Sequence, residues 1–110
     1  VIGCSWCVDF GYYAAHSRGE DVSKFEKALT WRDHRDFFTP VEQRVLEFSE
    51  AMTATPPTVS DDLTEALRED LGEKAFIELT MMVAVENERS RFNSALGLKS
   101  QGFKDTCDIR

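Results

Sequence analysis

A double proline and two glycines divide the second half of this 110-residue chain into helices of defined length. Thr39-Pro40-Val41-Glu42 puts a hydroxyl at an N-cap, proline at the first helical position and glutamate three residues past the cap. Hydroxyl and carboxylate can each accept from an amide that a helix start leaves unbonded, and proline has no such amide. Val41, Val45, Phe48 and Met52 then recur at helical spacing, which predicts one buried face. Pro56-Pro57 must break that helix. Ser60-Asp61-Asp62 opens the next, with Leu63, Leu67 and Leu71 as a narrow apolar seam and Gly72 as its end. The last helix runs from about Glu73 to Leu96 and stops at Gly97. Its first half, Ala75 to Val85, is apolar on nearly every side, which predicts a central position or a subunit interface.

Upstream the pattern is shorter. Cys4 to about Arg18 is an apolar and aromatic stretch that ends at Gly19. Asp21 or Ser23 can cap a short helix carrying Val22, Phe25, Ala28 and Leu29. Trp31 to Phe38 mixes charged and aromatic residues and reads as irregular. No segment alternates with period two between turn signals, so the fold class is all-α: a helical bundle of about five to six helices. No internal repeat or low-complexity tract is present. The chain opens on Val1 rather than Met, and the expectation is a piece of a longer protein.

Composition narrows the partners. Hydrophobic residues are 42% and charged residues 30%, the balance of one globular domain rather than a disordered chain. The net charge of −7 repels phosphate backbones, so no nucleic acid is expected. Met81 to Val85 is the longest purely apolar run, far short of the roughly 20 residues that cross a bilayer, so no membrane is expected either. No secretory signal opens the chain, and a soluble cytoplasmic protein is the default.

Cys4 and Cys7 stand in Cys-Ser-Trp-Cys, with Cys107 alone in a polar tail. Three cysteines with one close pair do not make a secreted disulfide framework. Residues three apart on a helix are neighbours, about 5–6 Å between Cβ atoms, so the pair can close a disulfide. If the helix starts near Gly3, its unbonded amides and dipole stabilise a thiolate in the first turn. The pair fits a redox couple, half of a zinc site, or coincidence. Zinc needs four ligands, and only His16, His34 and Cys107 stand as candidates, with no second Cys-x-x-Cys. No metal and no cofactor is therefore expected. Cys107 reads as an incidental thiol.

No base stands beside the thiols on their own helix. His16 lies nine positions past Cys7, roughly 180° around and out of reach. One turn after Cys7 stands Gly11, and the face through Cys4, Cys7, Gly11 and Ala14 is small enough to pack closely on another helix. His16 therefore reads as a surface or contact residue, and His34, within Arg32-Asp33-His34-Arg35-Asp36, as part of a solvated loop. Trp6, Tyr12 and Tyr13 read as core packing. The polar run from Glu86 to Asn93 reads as a solvated face with pairs such as Glu88 with Arg91. Its alternative is that Asn87 or Asn93 caps a neighbouring loop or lines a pocket. Met81-Met82 reads as core or interface filler.

Three blocks in order resemble the carboxymuconolactone decarboxylase family, including its alkylhydroperoxidase D-like members. They are Gly3-Cys4-Ser5-Trp6-Cys7, the stretch from Phe38 through Thr39-Pro40-Val41-Glu42 to Thr53, and the stretch from Val85 through Asn87 and Arg91 to Leu98. The resemblance covers residues 1–98, leaving 99–110 as a polar C-terminal tail, and implies a helical fold associating as a homotrimer or homohexamer. It implies a thiol-dependent peroxidase or disulfide reductase in which Cys7 attacks peroxide and Cys4 resolves, with an external dithiol as reductant. In the peroxidase-type pattern Cys-x-x-Cys-x-x-x-His, the histidine falls on Gly11, and the upstream acid would precede Val1. A slow reaction, or a base from His34 or a neighbouring subunit, is the expectation. The rival readings are a non-catalytic helical binding oligomer and a lyase on a small lactone acid, which needs no cysteine pair.

Overall fold

The computed structural model describes residues 13–14, 16–19 and 22–99. Residues 13–14 and 16–17 are helical. They are followed by α1 (Ser23–Ala28), a 3-10 helix (Trp31–Phe37), α2 (Pro40–Thr53), α3 (Asp61–Leu71) and α4 (Glu73–Ala95). The described residues are all-helical, with no strand among them. No helix among them is long and apolar enough to cross a membrane.

The helix ends follow local chemistry. At α2, Thr39 Oγ1 accepts from the Glu42 amide at 3.2 Å and Glu42 Oε1 accepts from the Thr39 amide at 3.0 Å, the reciprocal pair its sequence predicts. Ser60 Oγ accepts from the Leu63 amide at 3.2 Å and starts α3. Gly72 ends α3 and begins α4 with φ 82° and ψ 160°, a conformation only glycine adopts without strain. That single residue lets two helices abut with no intervening loop.

Each of the three long helices gives one buried side chain to a common cluster: Phe48, Leu67 and Phe76. The Phe48 and Phe76 rings lie 5.5 Å apart, tilted by 59°, and Leu67 has no solvent-exposed surface. Val45, Met52, Val59, Leu63, Leu71 and Leu79 pack around them. The predicted stripe of α2 and seam of α3 thus face the same core. Burying a side chain of this size contributes about 1.5–3 kcal/mol, so the cluster dominates the stability of the three-helix unit.

The chain departs from its sequence pattern in two places. Val22, not Ser23, precedes α1, and it offers no side-chain cap; Asp21 lies outside the described residues. Trp31–Phe37 forms a 3-10 helix with a kink at His34 instead of an irregular segment. Its exit is held by Gln43, whose amide Nε2 donates to the carbonyls of Arg35 at 3.0 Å and Phe38 at 3.1 Å. Of the two positions expected for the apolar half of α4, central or in a subunit interface, the single chain does not show the first. It packs on α2 and α3 with Phe76 buried and Leu79 against the core. Ile77, Met81, Val85, Phe92 and Leu96 form an outer stripe with 40–62% of each residue exposed. A helix with neighbours on one side buries one face whatever its composition, so its second apolar face has no cover among the described residues.

Candidate functional site

Cys4 and Cys7, with Trp6, Gly11, Tyr12 and Cys107, lie outside the described residues. Tyr13 and His16 are half-buried at the end of that first stretch. His34 is exposed, as its charged surroundings predict. Its Nδ1 lies 3.1 Å from the Thr30 carbonyl oxygen and 3.3 Å from Thr30 Oγ1, so one ring nitrogen is engaged locally. No group of three or more His, Cys, Asp or Glu among the described residues could hold a metal ion.

What the described chain does bring together is a polar corner built on α2. Glu50 Oε1 accepts from Trp31 Nε1 at 2.7 Å, while Oε2 accepts from the Arg32 guanidinium. Burial pushes the Glu50 carboxyl up, but the hydrogen bonds from Arg32 and Trp31 together outweigh it and hold its pKa below the ordinary glutamate range. One turn from the start of α2, Glu42 receives Lys24 Nζ at 2.7 and 2.9 Å. Those bonds, then the Thr39 amide, hold its carboxyl low as well. A carboxylate kept ionised in this way has little proton affinity and is a poor general base at neutral pH. Glu50 and Glu42 thus act as tethers that fasten α1 and the 3-10 helix to α2.

Beside those tethers lies an open depression of ≈ 490 Å³, lined by Lys27, Arg32, His34, Arg35 and Phe37, with Asp33 and Asp36 on the same wall. The Arg32 and Arg35 guanidiniums sit 4.4 and 5.0 Å from the Trp31 ring centre, and Lys27 Nζ lies 4.4 Å from that of Phe37. These cations are steadied on aromatic faces. Among the described residues its lining contains no hydroxyl or thiol nucleophile.

A second polar cluster closes the far end of α2. Asn87 Nδ2 donates to Thr53 Oγ1 at 3.0 Å and to the Val83 carbonyl at 2.9 Å. Arg91 Nη2 donates to the Thr53 carbonyl and to Thr55 Oγ1, both at 3.2 Å. Sequence pattern favoured a solvated face with pairs such as Glu88 with Arg91; among the described residues the pair on this face is Glu86 with Arg89 at 3.0 Å, and Arg91, still exposed, reaches across to α2 instead. The reason is at the end of α2: its last carbonyls need donors, and Pro56 and Pro57 offer no amide. Asn87 joins the Thr53 side chain to its own helix, and it is Arg91 that reaches the last carbonyl of α2. Asn93 is buried at 7% exposure. The readable signal was Asn87 and Arg91 four residues apart, facing a helix end followed by two prolines. Glu50, by contrast, had no local signal, because its partners lie 18 and 19 residues away.

No family model matches the chain, and no solved structure does. It is similar to the uncharacterized protein YnjA of Escherichia coli strain K12, 34% identical over 100 residues. It is also similar to the uncharacterized protein YdfG of Bacillus subtilis strain 168, 30% identical over 96 residues. The match takes in 91% of this chain but 54% of YnjA, and 86% of this chain but 65% of YdfG. The chain therefore spans between about half and two-thirds of the length of these relatives.

Proposed function

We propose that the chain is a thiol-dependent peroxidase or disulfide reductase of the alkylhydroperoxidase D-like kind, acting through Cys7 and Cys4. The observation that carries this reading is Cys4-Ser5-Trp6-Cys7 standing in order with the Phe38–Thr53 and Val85–Leu98 blocks over nearly the whole chain. The all-helical architecture agrees with it. In the cycle, the Cys7 thiolate attacks a peroxide oxygen, the O–O bond breaks, and sulfenic acid and an alcohol or water result. The Cys4 thiol then displaces water from that sulfenic acid and closes the Cys4–Cys7 disulfide. An external dithiol returns both thiols by exchange and leaves as its own disulfide. Such recycling belongs in a reducing, cytoplasmic setting.

Gly11 supplies no base, and Glu50 is committed to Trp31 and Arg32. The peroxide step should therefore run slowly, since a positioned base is worth about 10²–10⁴ in rate. A base would come from elsewhere, such as His34 or a neighbouring subunit. Homotrimers or homohexamers are part of the same proposal, and the open apolar stripe of α4 supports association.

That stripe also supports a second reading, a helical assembly protein in which the cysteines have no catalytic part. A Cys7→Ser chain separates the two. Loss of dithiol-dependent peroxide consumption with unchanged sedimentation is expected from the first reading. Consumption equal to that of the unsubstituted chain contradicts it and leaves the assembly reading.

A further inference from the structure

We propose that the depression at the corner is a binding site for a small zwitterion, a molecule that carries a carboxylate and an ammonium group close together, as an amino acid does. Its wall alternates in sign through Arg32-Asp33-His34-Arg35-Asp36, and Lys27 adds to it from α1. Alternating charges along a solvated run ordinarily lace into ion pairs. Here they do not. Among the described residues Lys27, Asp33 and Asp36 form no ion pair, and Arg35 reaches only Gln43 Oε1, at 3.4 Å. The cations are drawn to rings instead: Lys27 Nζ lies 4.4 Å from the centre of Phe37, and the Arg35 guanidinium 5.0 Å from that of Trp31, which is 3% exposed. Arg32 differs, since Glu50 offsets its charge.

The unpaired groups set the charge of what can bind. Lys27 and Arg35 stand against Asp33 and Asp36, so the two signs are matched in number on one wall. A simple anion gains from one pair and is repelled by the other, and a simple cation fares no better. A ligand with both charges meets each with its opposite. Its carboxylate suits the planar fork of Arg35 and the point charge of Lys27, and its ammonium supplies donors to the Asp33 and Asp36 carboxylates. At ≈ 490 Å³ the depression falls within the size of small-molecule pockets, about 300–1,000 Å³. Phe37, 39% exposed, offers apolar surface to the body of the ligand. The wall is open to water, which screens each contact, so binding in the millimolar range is expected. The site does not depend on the cysteine reading.

The test titrates the full chain with L-leucine and follows the Trp31 indole N–H and the backbone amides of Lys27 to Phe37 by nuclear magnetic resonance. Isocaproate, which is leucine without its ammonium, and isoamylamine, which is leucine without its carboxylate, serve as probes of a single charge. Leucine is expected to give saturable shifts confined to this segment, at several-fold lower concentration than either single-charge probe. A Lys27→Gln, Arg35→Gln chain and an Asp33→Asn, Asp36→Asn chain should each bind leucine several-fold more weakly. Unliganded signals of Trp31 that keep their positions show that the corner of each variant is folded. Lys74→Gln, the same charge change at an exposed position on α4, should bind as the unsubstituted chain does. Shifts that never saturate overturn the proposal, as do single-charge probes as effective as leucine, or binding that survives both double substitutions.

Discussion

The three-helix core and the corner beneath it are held by opposite chemistry. Phe48, Leu67 and Phe76 bring α2, α3 and α4 together by removing apolar surface from water. The α1 and 3-10 corner also buries Trp31 and Phe38, but it is fastened to α2 through Lys24–Glu42, Trp31–Glu50, Arg32–Glu50 and the Gln43 cap. An apolar core is indifferent to pH and little affected by moderate salt, whereas a corner tied by ionised carboxylates answers to both. The two regions should therefore loosen separately, with the corner yielding first.

The largest expected effect lies in the core. Leu67→Ala removes a side chain with no exposed surface and should cost about 2–5 kcal/mol, read as a lower urea midpoint with an unchanged slope. A loss below about 0.5 kcal/mol would mean that the three helices are not joined through this residue.

A middle-sized effect belongs to the tether. Glu50→Ala leaves the Trp31 indole N–H without its acceptor and should cost about 1 kcal/mol, given that Glu50 is partly solvated. Hydrogen exchange at the Trp31 indole should accelerate while core amides of α3 and α4 keep their protection. Equal loosening of both regions would break the distinction. Acid should act in the same place: Glu42 and Glu50 have folded pKa values below the ordinary 4.5. Their contribution is fully present above the unfolded value and is lost as pH falls through the folded ones. Exchange at the corner should thus rise on acidification below about pH 4.5, ahead of the core.

The smallest effect is at the start of α2, where Thr39→Ala removes one half of the reciprocal cap and should cost about 1 kcal/mol or less. Because Glu42 still holds Lys24, the corner should stay attached, and a thermal melt should show only a modest fall.

How far the sequence was legible follows the same division. Caps and seams are local, so Thr39, Ser60, Gly72, Leu63, Leu67 and Leu71 could be read directly and stand where their spacing puts them. The 3-10 helix was not legible, because its order comes from Gln43 and Glu50 rather than from its own charged sequence. The apolar first half of α4 announced two buried faces, but a pattern cannot say which element covers the second. The contact of Arg91 with Thr53 was not legible either, because its acceptor lies 38 residues earlier. Cys4 and Cys7 rest on spacing and on resemblance, since they fall outside the described residues.

The redox pair is the central claim, and one measurement meets it most directly: thiol titration and intact mass of the native chain before and after about one equivalent of hydrogen peroxide. The account predicts loss of the Cys4 and Cys7 thiols with a mass lower by two hydrogens, reversed by a dithiol and absent in a Cys4→Ser chain. Thiols that stay reduced under peroxide, or that gain oxygen without pairing, would contradict it.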